Sequence, residues 1–252
     1  MEFIKLTPEN LACEHICCAI SSDKDCQVMA KKAWLADRLE EGLVFLKGDV
    51  RGKCFVEYLP AEAAWAPVDA QGYMYIDCLW VSGRLAGHGY AASLLQQCID
   101  DSRAKGKRGV AVLSSDRKRP FLSDKGFLAH FDFRLADRCE PHFELLYLPF
   151  DDDAGLPRFS EAVGKRAEWI AGEGFTIAYT HQCPFTAKYV PLLMDCAREH
   201  GWKAQEYYID SMEKARAMPM PATAFALFYN GSYITNEILS VKKFEKLAET
   251  LL

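Results

Sequence analysis

Three sets of residues in this chain have types and spacings that could do chemistry. The first is the run Arg84-Leu-Ala-Gly-His-Gly89 with Tyr90, where glycines stand at positions in which backbone must approach a ligand more closely than a Cβ would permit. Unpaired N–H groups there, with the positive end of the following helix, would cradle a diphosphate. The second is the carboxylate pair Asp77 and Glu57, each inside an otherwise apolar segment and each a candidate base for taking a proton from an amine. The third is Cys183, just ahead of a helical pattern at 184–200, where a helix N-terminus would lower the thiol pKa and favour thiolate.

The first set needs a strand, a turn and a helix in succession, and residues 74–99 supply them. Residues 75–81 are dominated by aromatic and branched side chains, uninterrupted by Pro or Gly, and predict a strand. Tyr90, Leu94 and Cys98, widened by Leu95 and Ile99, draw one face of a helix that ends near Lys105-Gly106. Two other readings of the turn stay open. Residues 87–92 fit a G-x-G-x-x-A dinucleotide fingerprint, although Ser82 to Ala86 separate the strand from its first Gly and the region around Lys105 to Arg108 is basic where an acid is needed. The other reading is a tight turn whose glycines only relieve strain.

Around this centre, residues 7–10 open a helix carrying Leu11, Cys13, His15, Ile16, Cys17, Cys18 and Ile20, and a second helix follows over 27–41 with Val28, Leu35 and Leu39 on one stripe. The Cys/His grouping at 13–18 lacks a second pair at metal-ligand spacing, so the thiols read as buried packing groups and no metal is predicted. Segments 43–47 and 53–59 form a hairpin turning at Gly48-Asp49. A loop at 61–72 holds Trp65 as a packed plug; a strand at 109–115, a helical stretch at 119–130 and strands at 133–137 and 142–150 follow. An acidic break with Gly and Pro at 151–157 divides the chain into domains 1–150 and 157–252. The second reads as a helix at 159–172, strand 175–179, helix 184–200, strand 204–209, helix 211–218, a hairpin of 224–229 and 232–235, and a final helix at 241–252.

The turn carrying Arg84, Gly87 and Gly89 resembles motif A of the GNAT superfamily of acyl-CoA-dependent N-acyltransferases. That resemblance implies an α/β chain of the α+β kind, with a mixed, mostly antiparallel sheet whose central strand splays from its neighbour so that pantetheine adds like a further strand. It implies acetyl-CoA as cosubstrate, bound along Leu79, Trp80 and Val81 and at Arg84, Leu85, Ala86, Gly87, His88, Gly89 and Tyr90, with the amides of 79–81 polarising the acyl carbonyl. The family's acid is a Tyr in an F-Y-x-x-x-G-F pattern; this chain puts Leu122 or Leu128 there, depending on register, leaving Ser114, Cys78, Tyr147 or water to protonate the thiolate.

The order β-α-β-α-β-β-α after residue 157, with Cys183 after the first strand and Pro219 and Pro221 before the third, resembles the thioredoxin/glutaredoxin fold, in which such a proline is cis. Thr186 occupies the C-x-x-C partner position, which argues against dithiol chemistry and leaves Cys183 as a catalytic candidate by itself. Taken whole, the chain is similar to GNAT proteins with a C-terminal YoaP domain, through residues 14–18, 78–83, 120–124, 182–185 and 229–231.

Composition bounds the partners. At 252 residues, 50% of them hydrophobic, there is material for two ordinary domains. A formal charge of −5 and the lack of a basic stripe with interleaved aromatics exclude a general nucleic-acid surface. No apolar run approaches a bilayer's thickness and the N-terminus is unlike a signal peptide, so a cytoplasmic location is expected, in which the ten cysteines stay reduced. The expected function is N-acetyl transfer from acetyl-CoA to an amine of a small molecule or peptide, with homodimer formation left open. The competing reading is an acyl-CoA sensor, or a thiol-dependent redox or binding protein, without efficient transfer.

Overall fold

Segments rich in branched and aromatic residues build two principal sheets. The computed structural model describes residues 1–19, 22–165 and 167–252. Its first sheet runs, in spatial order, β1 (Phe3–Lys5), β2 (Val44–Gly48), β3 (Cys54–Pro60), β5 (Tyr73–Val81), β6 (Gly109–Ser115), β8 (Phe143–Pro149) and β7 (Arg134–Cys139). All neighbours are antiparallel except β5 and β6, which the helix α2 (Tyr90–Ala104) joins in parallel. The second sheet is β11 (Ala204–Tyr208), β10 (Phe175–Tyr179), β12 (Phe225–Tyr229) and β13 (Ser232–Thr235), with β10 parallel to β11 and antiparallel to β12. Helices α4 (Thr186–Glu199), α5 (Met212–Arg216) and α6 (Val241–Leu251) connect and close it. The short strands β4 (Val68–Asp69) and β9 (Arg158–Phe159) pair antiparallel and fasten the start of the second half onto the first.

The two faces of the first sheet have different partners. On one, α2 sets Leu94, Leu95 and Cys98 against Val56, Met74, Ile76 and Val110. On the other, Phe45, Phe55 and Tyr75 join α1 (Cys26–Glu40) and also Ala178, Ala226 and Phe228 of the second sheet, in one continuous core. With about 1.5–3 kcal/mol for each large apolar side chain buried there, the second sheet's seat on this face is a packed interior, in which the Tyr233 ring also meets Phe143 of β8. Trp65 is part of it: its ring packs edge-on to Trp34 at 4.8 Å between centroids, and its carbonyl accepts from the Thr223 hydroxyl at 2.7 Å.

Three expected helices take other forms. Residues 7–19 fold as successive turns, because the Asn10 side chain accepts from the Thr7 amide at 2.8 Å and donates to the Lys5 carbonyl, in competition with helical bonding. Ile16, Cys17, Cys18 and Ala19 are buried in succession, a pattern one helix face cannot provide; Ile20 lies outside the described residues. The stretch 119–130 contracts to α3 (Lys125–Ala129): Phe121 has φ of 61°, and Asp124 caps the helix by accepting from the Phe127 amide. In place of the helix at 159–172 stand β9 and a 3-10 turn at Glu168–Ile170, Arg166 lying outside the described residues. Pro219 and Pro221 are trans; the cis bond among the described residues is Glu140-Pro141. No helix among them is long and apolar enough to cross a membrane.

Candidate active site

The parallel pairing of β5 with β6 stops halfway. It runs from Tyr73–Gly109 to Ile76–Val112, and beyond it the edge of 77–81 has no strand beside it among the described residues, although β5 stays paired to β3 as far as Val81. A β-bulge starts the opening: Glu57 opposes Cys78 and Tyr58 opposes Ile76, so Asp77 is the extra residue. A bulge bends its strand and re-aims side chains. Here it puts two consecutive ones on the same face: Cys78 packs against the shared core, and Asp77 is turned to the same side, within the fields of Glu57, Lys31 and Arg38. Residues 77–81 are half-buried, against fully buried 73–76, and so line a groove.

At the end of that groove the chain turns through residues 82–89 into α2. Gly87 and Gly89 have φ of 80° and 77°, the left-handed region that disfavours any side chain, and a Cβ on either would meet nothing within 4 Å. The amides of Leu85 and Ala86 are engaged within the turn, with the Ser82 carbonyl at 3.4 Å and that of Gly83 at 3.1 Å, and the Leu85 side chain is buried against the α2 core. Among the described residues, the amides of 87–92 donate to no protein acceptor, and Gly89 caps α2 with no side-chain bond. The unclaimed amides are thus those of 87–92, and not the whole of the expected run 85–90. Arg84 and His88 are exposed beside it. Exposed amides at a helix start suit a diphosphate.

Glu57 is no solvated carboxylate. Only 1% exposed, it accepts two hydrogen bonds from the Lys31 ammonium, at 2.7 and 2.6 Å, and Lys31 is itself fully buried. Burial alone would lower the Lys31 pKa, but the Glu57 charge holds it above the ordinary value. The third Lys31 bond, 2.7 Å, goes to the carbonyl of Gln182 in the second half of the chain, whose side-chain amide donates to the Asp77 carbonyl at 3.3 Å. Asp77 is pushed well above the carboxylate range by burial first and by Glu57 second. One apolar face therefore holds a cation, two carboxylates and, adjoining them, Cys18, Cys78 and Cys183.

Comparison with known proteins decides the family. Residues 10–127 match the acetyltransferase (GNAT) family and residues 205–246 the YoaP-like family. The chain is 41% identical, over the whole length of both, to a protein of Bacillus subtilis (strain 168) named "Uncharacterized N-acetyltransferase YoaP". It belongs to the GNAT acetyltransferases. A solved GNAT N-acetyltransferase (YhbS) from Escherichia coli, in complex with CoA, is 21% identical over 64% of this chain and 89% of that one, with a TM-score of 0.39. A GNAT acetyltransferase from Brucella melitensis, in complex with acetyl-CoA, is 17% identical over 60% and 89%, with a TM-score of 0.38.

Within this GNAT chain, Cys183 departs from expectation. It precedes α4 by three positions, and burial first, with the Glu57 charge adding to it, pushes its thiol up to about 11 against the Phe185 amide and the Lys31 and Lys53 cations, which pull it down. Depth outweighs the helix end. Thr186, at the partner position, is fully buried and its hydroxyl lies 2.7 Å from the Thr180 carbonyl and 2.8 Å from that of Cys183, so it fastens the loop. His181 is turned to Tyr208, at 5.0 Å between ring centroids. Leu128 is 1% exposed in the α2-side core, so α3 offers no acid. The Ser114 hydroxyl is buried and donates to the Ser123 carbonyl at 2.7 Å. Tyr147 packs against Tyr73 at 6.4 Å between ring centroids. Among the described residues, Cys196 and His200 at the far end of α4, with Glu245 of α6, are the grouping with metal-ligand geometry.

Lys31, Gln182 and Phe185 carry much of the site and were not predicted from sequence. Lys31 had a signal: with Val28 and Leu35 on the inward stripe of α1, a lysine between them at helical spacing must be buried and must find a carboxylate.

Proposed function

We propose that this protein transfers an acetyl group from acetyl-CoA to an amine of a small molecule or a peptide. The observation that carries the reading is the half-open β5–β6 pair, with a bulge at its fork and unclaimed amides at its end. In this reading the amides of 87–92, with Arg84, hold the diphosphate, and the free edge of Leu79, Trp80 and Val81 takes the pantetheine amides. Their side chains lend that edge shape: Trp80 meets Phe185 edge-on at 6.2 Å, with the Lys53 ammonium 4.0 Å above its ring.

Asp77 is the base. A carboxylate raised by desolvation binds a proton more strongly than a solvated one, which suits it to take one from an ammonium. Glu57 acts behind it, held by Lys31, and its negative charge is part of what raises Asp77. Cys78, Tyr147 or water returns a proton to the CoA thiolate, since Leu128 has none to give and the Ser114 hydroxyl is bonded to the Ser123 carbonyl. Residues 1–150 form the acyl-CoA domain and residues 157–252 a second, thioredoxin-like domain whose order of strands and helices supports that description.

The buried Leu128 favours one alternative, an acyl-CoA sensor with slow transfer. Calorimetry with acetyl-CoA, followed by CoA release over a panel of amines, tests both. Binding with amine-dependent CoA release is the expected result, binding without release selects the sensor, and no binding overturns the proposal.

A further inference from the structure

The loop that brings the second half of the chain to the open segment of β5 also walls a cavity. Gln182 donates to the Asp77 carbonyl at 3.3 Å, and further along the same loop the Phe185 ring meets Trp80 edge-on at 6.2 Å. Phe185 and Tyr189 stand one helical turn apart at the start of α4, with ring centroids 6.4 Å apart, and both line a cavity of about 250 Å³. Phe121 from the first half of the chain and Ile238, Ser240 and Lys243 from around the start of α6 complete its lining. Ser240 and Lys243 are exposed, and Lys243 is paired with Glu237, so the selective part of the wall is aromatic and aliphatic.

Phe121 is placed against its own preferences. Its φ of 61° lies in the left-handed region that disfavours a bulky side chain, and the residue is 49% exposed, so packing within the chain offsets little of that strain. The second half holds it there, through the buried Asn236, whose side-chain amide donates to the Pro120 carbonyl at 3.3 Å. A phenyl ring kept half-uncovered at a strained position, in a cavity shared with two other rings, gains full cover only when an apolar group enters. Size narrows that group. A cavity of roughly 150 Å³ takes a benzene molecule, and sites enclosing a whole small ligand run to about 300–1,000 Å³. This one therefore suits an aromatic ring and leaves the rest of the molecule outside it.

The two faces of β5 say which ligand brings the ring. Leu79 and Val81 pack on the side of α2, the helix whose start holds the diphosphate in the reading above. Trp80 packs on the other side, where Asp77 is also turned and where Phe185 meets it. We infer that the cavity is the specificity pocket for the acceptor, and that the amine this protein acetylates carries an aromatic ring, seated among Phe121, Phe185 and Tyr189 while its nitrogen approaches Asp77. The inference rests on the acetyl-transfer reading and adds no chemical step to it. It names the class of amine and makes the second half of the chain part of the substrate site.

The test uses the full-length protein with saturating acetyl-CoA and follows CoA release for two matched pairs of amines, 2-phenylethylamine against ethylamine and phenylalaninamide against glycinamide. The ring-bearing member of each pair should be favoured about tenfold or more in kcat/KM, chiefly through KM, as burial of a ring requires. Phe121→Ala and Tyr189→Ala should each cut that preference severalfold, while calorimetry with acetyl-CoA alone returns the parent's affinity. Amine-dependent release that is equal within both pairs overturns the pocket and leaves acetyl transfer standing. A fall in acetyl-CoA affinity in Phe121→Ala also overturns it, since the cavity would then hold part of the cofactor. The pairs compared on the unmodified protein keep the test decisive even if neither variant folds. Absence of acetyl-CoA binding, or of release with every amine, overturns the acetyl-transfer reading and the pocket together.

Discussion

The glycine turn at 82–89 and the charged cluster under the second sheet serve one proposed reaction and are built in opposite ways. The turn is exposed, contiguous in sequence and made of main-chain amides; side chains matter there mainly by being absent. The cluster is buried, made of side chains, and completed by a contact between residues 151 positions apart, Lys31 and Gln182. The turn can bind an anion by itself. The cluster has its chemistry only when the whole chain is folded, because a lone buried charge is far costlier than a paired one. Binding should therefore tolerate damage to the second half, whereas transfer should not.

The most severe way to test that contrast is Glu57→Ala. It leaves the Lys31 ammonium buried with one carbonyl for company, and removing one partner of a buried pair costs about 3–5 kcal/mol. Urea unfolding should register a loss of that size, and the double variant Lys31→Met/Glu57→Leu should recover most of it without recovering transfer. If Glu57→Ala is as stable as the parent, water reaches the pair and the cluster is not the dry counterpart of the turn.

Thiol reactivity comes next. With Cys183 pushed up to about 11 by burial, its thiolate fraction near pH 8 is roughly a hundredfold below that of an ordinary thiol. An alkylating probe should label the exposed Cys13 and Cys26 first in the native protein and Cys183 only slowly, the reverse of what its place ahead of a helix suggests. Rapid selective labelling would mean that the loop is open to solvent and the second sheet not seated as described.

These two regions also mark what could be read from residues alone. The turn was legible because its physics is local: glycine positions, a strand before and a helix after suffice. So were β10 to β13 and the helices around them, whose hydrophobic periods are unbroken over α4 and α6. The cluster was only half legible. Asp77 and Glu57 stood out as charges in apolar strands, but nothing local says that Lys31 meets Glu57, or that a bulge turns Asp77 and Cys78 to one side. The segment at 7–19 misled because its apolar residues mimic a helical stripe while Thr7 and Asn10 divert the backbone into turns. The Cys183 thiol misled for a related reason: a helix end is visible in sequence, and the depth at which it is buried is not.

A smaller effect is expected at the exposed end. Gly89→Val puts a branched side chain at φ of 77°, for roughly 1–2 kcal/mol of local strain. The folded state should relieve part of it by shifting the turn, since nothing crowds that position. Acetyl-CoA affinity should fall about tenfold or more, equivalent to about 1.4 kcal/mol, because the amides of 87–92 lose their common direction. Calorimetry beside a melting curve separates the two, and an unchanged affinity would remove the diphosphate role from the turn.

The mildest substitution, Asp77→Asn, keeps the side-chain shape and asks whether the cluster is dry. Burial and Glu57 raise the Asp77 carboxyl well above its unfolded value, so the folded chain holds that proton after the unfolded chain has released it. From about pH 4 upward, until the folded group also ionises, Asp77 therefore makes stability fall as pH rises. Lys31 contributes nothing to this slope, since its own raised value confines its loss of stabilisation to strongly alkaline solution. Asparagine cannot titrate, so the variant should lack the decline and its urea midpoint should gain on the parent as pH rises from mildly acidic to neutral. Equal slopes in the two proteins would mean that Asp77 titrates like a solvated carboxylate. The groove would then be as wet at the fork as it is at the glycine turn, and an open acceptor site would replace the covered one.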